Sequence, residues 1–204
     1  MKELKQIIGL MCSAAALTVC AVLPVRAELF VNSGATLTVT NGAVLDTTGS
    51  VKIFGTIDAS GATPGEIKLT GDWNMASSGT FTAGTSSVTF YDAGASSITG
   101  NTTFYVFNNN TVGKTFLFQS NSTQTIQNAL NLSGSVGSEV SLLGAANGQK
   151  WSLSILNGNR TLGYVKVRDG NAFGGTITAN TSLNLGNNNA GWIIIAPPCI
   201  RAIC

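Results

Sequence analysis

The sequence predicts an all-β fold, a parallel β-solenoid in which short strands coil around one apolar core. Apolar and polar residues alternate over runs of about three to five residues, as in Thr-Leu-Thr-Val-Thr at 36–40, and this period of two is typical of strands. Glycine, asparagine, aspartate and serine interrupt the runs about every six to ten residues, as turns do. After residue 27 the sequence has no apolar stripe with helical spacing, which argues against helices.

Strand length separates the solenoid from other all-β folds. Sandwiches and barrels use strands of about five to six residues or more, with hairpin registers. The runs here are shorter, which suits a coil whose turns each contribute two or three short strands. At about 20 residues per turn, residues 28–204 would form about eight turns. With strands about 4.8 Å apart, the coil would be on the order of 40 Å long.

The apolar positions follow one another as expected for successive strands. Six of them alternate strictly with polar neighbours and are expected to face the core: Val51, Ile53, Phe116, Phe118, Val165 and Val167. The other predicted strands contain Leu37, Val44, Ile57, Ile67, Phe81, Val88, Ile98, Phe104, Ile126, Leu130, Val140, Trp151, Ile177, Leu183 and Trp192. Asparagine runs at 108–110 and 187–189 are interpreted as corner residues, because asparagine adopts left-handed conformations and stacked amides bond along a coil.

The first 27 residues have the pattern of a signal peptide. Lys2 and Lys5 precede an almost uncharged apolar run at 7–23, and Val-Arg-Ala at 25–27 supplies the small residues of a cleavage site. We therefore expect export and cleavage before Glu28.

Two alternatives to cleavage are a retained membrane anchor and a lipoprotein signal ending at Cys20. The apolar run is short of the roughly 20 residues that a bilayer needs, and Val19 stands where a lipoprotein signal wants a small residue. The predicted organisation is thus a signal peptide at 1–27, one β-helix domain at 28–195 and a proline- and cysteine-containing tail at 196–204, without a stable membrane span.

Charge composition argues against two classes of partner. Three of the 11 basic residues and one of the 9 acidic residues precede Glu28, so eight of each follow it. A net charge near zero without basic clusters lacks the electrostatic footprint of nucleic-acid binding. It also argues against an anionic lipid surface as the main partner.

The segment at 71–194 resembles modules of large secreted bacterial surface proteins of the filamentous-haemagglutinin or autotransporter-passenger type. The similarity lies in "GDWNMASSGTFTAGTSSVTFYDAGASSITG" and "YVKVRDGNAFGGTITANTSLNLGNNNAGW". It implies a right-handed parallel β-helix acting as a structural or adhesive module at a cell surface or in the extracellular space. The expected partner is a cell-surface or matrix component, glycans included. The chain departs from these proteins in being short, with one copy of the pattern.

A carbohydrate-active enzyme is the main alternative, since parallel β-helices also carry lyases and hydrolases. Such chemistry needs carboxylates that converge on one groove. The acids after residue 27 form no close pair in the sequence: Glu28, Asp46, Asp58, Glu66, Asp72, Asp92, Glu139 and Asp169. The densest charged cluster is Lys166, Arg168 and Asp169, which we interpret as a solvated strand face followed by a turn aspartate. No catalytic residue, metal site or cofactor is predicted.

Aromatic and hydroxyl side chains suggest two further surface hypotheses. Three tryptophans could form a sugar-stacking surface, although aromatic residues at strand ends are more often core residues: Trp73, Trp151 and Trp192. Threonines at 36–40, 80–82 and 176–178 lie on one side of their strands, and flat threonine arrays on some solenoids bind ice. Their spacing is irregular, and threonine is an ordinary solvent-facing strand residue, which is the interpretation we favour.

The two cysteines after the signal peptide lie at the extreme C-terminus. Cys199 and Cys204 could form a small disulfide in an oxidising compartment. Intermolecular pairing and free thiols are the alternatives. A metal site would lack further ligands, because the chain contains no histidine.

The ends of a solenoid expose strand edges, so the sequence also predicts self-association. Residues 28–33 offer weak protection of the N-terminal edge, whereas Pro197 and Pro198 cannot continue a hydrogen-bond ladder at the C-terminal edge. We expect association through the N-terminal end.

Overall fold

The computed structural model describes residues 16–19, 23–25 and 28–198. In these ranges the backbone forms 23 strands and no helix. The strands are β1 Ala16–Val19, β2 Leu23–Val25, β3 Leu29–Val31, β4 Thr36–Val39, β5 Val44–Thr47, β6 Val51–Ile53, β7 Thr56–Asp58, β8 Glu66–Leu69, β9 Trp73–Met75, β10 Thr80–Thr82, β11 Ser87–Phe90, β12 Ala95–Thr99, β13 Thr102–Asn109, β14 Thr115–Phe118, β15 Thr123–Leu132, β16 Val140–Gly144, β17 Trp151–Ile155, β18 Arg160–Gly163, β19 Val165–Arg168, β20 Gly170–Phe173, β21 Ile177–Asn180, β22 Leu183–Asn184 and β23 Trp192–Ile194.

The chain winds as a parallel coil with three faces, which confirms the predicted solenoid. The first face begins with β1, β4, β7 and β10, the second with β2, β5, β8 and β11, and the third with β3, β6, β9 and β12. About seven turns are completed. The number of residues per turn varies, since Leu37 pairs with Ile57 on the first face but Phe116 pairs with Leu142 on the third.

Two long strands join the first and second faces in the middle of the coil. The second half of β13 pairs with β11, and its first half pairs only with β15. The start of β15 likewise pairs with β17, which continues the first face. The register between β13 and β15 shifts between Phe104 and Val106. Each long strand therefore passes from the first face to the second without a loop. Loops project at the other two corners, between the second and third faces and between the third and first faces.

The strands β1 and β2 extend the coil at its N-terminal end. Their backbones pair in parallel with β4 and β5. Cleavage before Glu28 stays a prediction and would remove both strands. Within the described ranges, no helix is long and apolar enough to cross a membrane.

The coil encloses a single apolar core, because inward residues alternate with outward ones along nearly every strand. All six residues that we expected to face the core are at most 2 % exposed, which confirms the register. Aromatic rings run along the axis as a continuous column. Phe104 contacts Phe107, with ring centroids 4.9 Å apart, and the stack of Phe118 on Trp151, at 4.0 Å, extends the column toward the C-terminal end.

Candidate functional site

The carboxylates of the coil are occupied by structural interactions. Each of the eight acids in residues 28–198 accepts a hydrogen bond or pairs with a base. The partners are Lys52 for Glu28, Lys68 for Asp46, Ser60 for Asp58, Thr89 for Glu66, Ser97 for Asp72, Lys114 for Asp92, Lys166 for Glu139 and Arg168 for Asp169. The described residues hold no group of three or more potential metal ligands. One carboxylate oxygen, Asp46 Oδ1, is buried without a hydrogen-bond partner among the described residues. Burial, Asp46 and Asp92 together raise the pKa of the neighbouring Tyr91 to about 12.

Asp169 lies in the bend between β19 and β20, as expected for a turn aspartate, and the structure shows that it is a buried structural residue. Its side chain is 1 % exposed and accepts hydrogen bonds from Asn187 Nδ2 at 2.7 Å, the Gly148 amide at 3.1 Å and Arg168 Nε at 3.1 Å. Burial by itself would raise the pKa of Asp169, but these donors outweigh it and hold the pKa below its ordinary value. The carboxylate fastens three consecutive turns together. Val165 and Val167 point inward as expected.

Asp169→Asn is expected to destabilise the protein at pH 7 by about 1–3 kcal/mol, the cost of weakening charged hydrogen bonds to a buried group. Asparagine tolerates the positive φ of 60° at this position, so the substitution adds no backbone strain. Because the folded pKa lies below the unfolded one, the wild-type advantage is present above about pH 4 and is lost as the pH falls through the folded pKa. Chemical denaturation of both proteins at pH 7 and pH 3 measures this; an equal difference at both pH values would contradict it.

Lys114 is a buried charge that sequence reasoning missed. Its side chain is fully buried, and Nζ bonds Asp92 and donates to the Thr70 carbonyl at 3.3 Å. The ammonium also lies over the rings of Phe90 and Phe116, with centroid distances of 5.6 and 5.8 Å. Asp92 is 40 % exposed, so the pair joins a core cation to a carboxylate at the surface.

The three tryptophans do not form a sugar-stacking surface. Trp73 and Trp151 are fully buried and Trp192 is 6 % exposed. Trp73 donates its Nε1 hydrogen to Thr102, and Trp151 donates to the Arg168 carbonyl. All three belong to the apolar core, because their strand positions are in phase with the inward residues.

The outward surface carries ladders of hydrogen-bonded polar side chains. On the second face, Thr89 Oγ1 donates to Glu66, Asn108 Nδ2 donates to Thr89 at 3.3 Å, and Asn131 Nδ2 donates to Asn108 at 2.7 Å. A second ladder, on the first face, links Ser152, Asn171 and Asn189. The predicted bonding of amides along the axis is therefore present. The structure corrects the predicted corner at 108–110, since Asn108 and Asn109 lie in β13 and not at a corner.

The threonine motifs form a short array on the first face. Thr36, Thr56 and Thr80 are register partners, and Asp58 stands between Thr38 and Thr82 in the neighbouring column. The third motif lies on the second face, in β21 and the residue before it. The threonines thus form no continuous array along the coil.

A polar notch opens at the corner between the third and first faces. Residues 76–79 and 119–122 form projecting corners of four residues, whereas Gly100 and Asn101 between them form a corner of only two. The difference in length leaves a cavity of about 380 Å³. Gly100 is required here, because its φ is +73° and a Cβ would lie 2.1 Å from the Met75 carbonyl. The ten lining residues are Met75, Ala76, Ser77, Gly79, Gly100, Asn101, Gln119, Ser120, Asn121 and Ser122, and none is charged.

Side chains from the following turn fix the floor of the notch. Gln119 Oε1 accepts from the Gly100 amide at 2.7 Å, and Gln124 Nε2 donates to the Gly100 carbonyl at 2.8 Å. Asn101 Oδ1 accepts from the Thr123 amide at 2.8 Å. Among the described residues, the side-chain amide nitrogens of Gln119 and Asn101 donate to no protein group, and both side chains are exposed. These two side-chain nitrogens are available to a ligand.

The predicted disulfide at the C-terminus falls outside the described residues. Cys199 and Cys204 lie beyond residue 198, so their disulfide stays a prediction.

Comparison with known proteins gives no family assignment. No protein-family model, no curated protein and no solved structure matches the chain.

Proposed function

We propose that the protein is an exported structural and adhesive module, of the filamentous-haemagglutinin or autotransporter-passenger kind, that acts without catalysis at a cell surface or in the extracellular space. The observation that carries the proposal is the state of the carboxylates: each of the eight in residues 28–198 accepts a hydrogen bond or pairs with a base, and only one of their oxygens, Asp46 Oδ1, is buried without a hydrogen bond. What the coil presents instead is a set of ordered, uncharged polar side chains.

The proposed mechanism is geometric. Outward side chains stand on strands that are paired on both sides through most of the coil, and ladders such as Asn131 to Asn108 hold their rotamers. A surface that is already ordered loses little conformational entropy when it binds, so weak polar contacts can add up to adhesion. The partner is a cell-surface or matrix component, glycans included. Association between copies through the ends of the coil stays part of the proposal.

A carbohydrate-active protein is the second candidate, and the notch favours its binding form. Amide and hydroxyl groups of Asn101, Gln119, Ser120 and Asn121 suit sugar hydroxyls. Cleavage would require a carboxylic acid and a second carboxylate at the same groove, and no acid lines the notch.

The proposal predicts that single carboxylates are dispensable for adhesion. Asp46→Ala, Asp58→Ala and Asp72→Ala each remove a partly exposed carboxylate, and each is expected to leave binding to immobilised cells or matrix within about twofold of wild type, because the proposed adhesion uses uncharged polar side chains. Fluorescently labelled protein in a saturation assay measures this. Loss of adhesion in any one of these variants, with its melting temperature unchanged, would contradict the proposal.

A further inference from the structure

We infer that the notch at the corner between the third and first faces is a binding site for an uncharged oligosaccharide chain. The inference rests on the proposed function in one respect: it names a ligand class and a place for the adhesion proposed above. The shape, the donor set and the rigidity of the notch support it.

The shape of the notch suits a chain ligand. The recessed corner at Gly100 and Asn101 is bounded by one projecting corner on each side, one turn away in each direction. The two projecting corners are two strand spacings apart, which gives the notch a width of about 10 Å along the coil axis. The volume of about 380 Å³ lies within the range of small-molecule sites. A ligand chain can enter and leave laterally, because the notch is open at the corner.

The donor set of the notch selects for hydroxyl groups. Gln119 and Asn101 offer amide hydrogens, while Ser77, Ser120 and Asn121 offer both donors and acceptors. A sugar hydroxyl also donates and accepts, so it can satisfy either kind of group. Recognition of an anionic chain would call for arginine or lysine, and recognition of a divalent cation would call for carboxylates. None of these lines the notch.

Apolar atoms complete the match to a sugar. Met75 and Ala76 line the same cavity and can pack against the carbon-bound hydrogens of a sugar ring. Ligand sites commonly combine such apolar contact with a few placed polar groups.

The notch is ordered before a ligand arrives. Side-chain hydrogen bonds engage both the amide and the carbonyl of Gly100. The corner at 119–122 is closed by the Ser122 hydroxyl and amide, both donating to the Gln119 carbonyl, and Asn121 adopts a φ of 59°. Little further ordering is then needed on binding, which preserves affinity.

The test is isothermal titration of the purified protein with three neutral hexasaccharides, cellohexaose, maltohexaose and the N-acetylglucosamine hexamer, and with a heparin hexasaccharide. We expect saturable binding of at least one neutral chain. Ser120→Trp, which fills the notch, and Gln119→Leu, which removes a donor and also the acceptor of the Gly100 amide, should each weaken it by about tenfold or more. Gln149→Leu is the matched control, because Gln149 is an exposed glutamine on the neighbouring corner outside the notch. It should leave binding within about twofold.

Three outcomes would overturn the inference: no binding of any neutral chain, stronger binding of the heparin fragment, or binding that Ser120→Trp leaves intact. Melting temperatures of the variants separate loss of the site from loss of the fold. Adhesion of the same variants to cells or matrix separates the two proposals. If the neutral chains fail to bind while adhesion persists, the notch inference fails and the proposed function stands.

Discussion

Phe118→Asp is expected to abolish the folded coil. The Phe118 side chain is 2 % exposed and its ring stacks on Trp151 at 4.0 Å, in a part of the aromatic column that joins two turns. Truncating a buried phenylalanine costs about 3–5 kcal/mol, and burying an unpaired carboxylate adds a further penalty. The total is comparable to the whole stability of many domains, about 5–15 kcal/mol. We expect loss of soluble expression or of a cooperative melting transition.

The matched control for this substitution is Lys52→Ser, because Lys52 also lies in a short strand of the coil but its side chain points outward. Lys52 pairs with Glu28 at 2.9 Å and lies over the Phe30 ring, while its side chain stays 30 % exposed. Exposed pairs of this kind contribute about 0–1 kcal/mol, so the melting curve should barely shift. Circular dichroism melts of both variants measure the contrast. Similar, small effects of the two substitutions would show that the register of the coil is wrong.

The second large effect is an asymmetry within the Lys114–Asp92 pair. Asp92→Ala leaves a buried ammonium without its carboxylate, and we expect a loss of about 2–3 kcal/mol. Lys114→Met removes the buried charge and keeps a flexible chain that packs against Phe90 and Phe116, so its effect should stay within about 1 kcal/mol. Asp92 is tolerant of losing its partner because it is 40 % exposed to water.

Denaturant titration of the two single variants and of the double variant tests this asymmetry. The double variant should be more stable than Asp92→Ala, because the stranded ammonium is gone. Glu28→Ala provides the control for deleting a carboxylate from a surface pair, and it should change stability by less than about 1 kcal/mol. A Lys114→Met variant that is less stable than Asp92→Ala would contradict the account.

Alternation of apolar residues predicted the fold class and the core well, because the period of two assigns each residue to one side of its strand. Val51, Ile53, Val165 and Val167 are buried as expected. The same alternation also identifies two polar residues at inward positions, and the sequence analysis overlooked them. Lys114 stands two residues before Phe116, and Asp169 two residues after Val167, so both occupy inward positions. Polar residues in the inward phase are buried when a partner is within reach.

The notch could not be predicted from the sequence, because it depends on register between segments about 20 residues apart. Neither Gly100 nor Gln119 is distinctive in the sequence, since glycine and glutamine in turns are ordinary. The notch exists because a corner of two residues falls between corners of four. The turns of the coil differ in length, and β13 and β15 pass one corner without a loop. A fixed repeat length therefore could not show which corners lie next to each other.

The most direct test of the central claim, that this coil adheres without chemistry, measures bound protein and released product in one experiment. Purified protein is incubated with immobilised cell-surface or matrix glycans over hours, while bound protein is followed by fluorescence and released sugar by a reducing-end assay. The account predicts saturable, reversible binding with no product above the signal of a heat-denatured sample. Product that accumulates linearly with time and with protein concentration, and that disappears in a folded variant lacking one carboxylate, would contradict it.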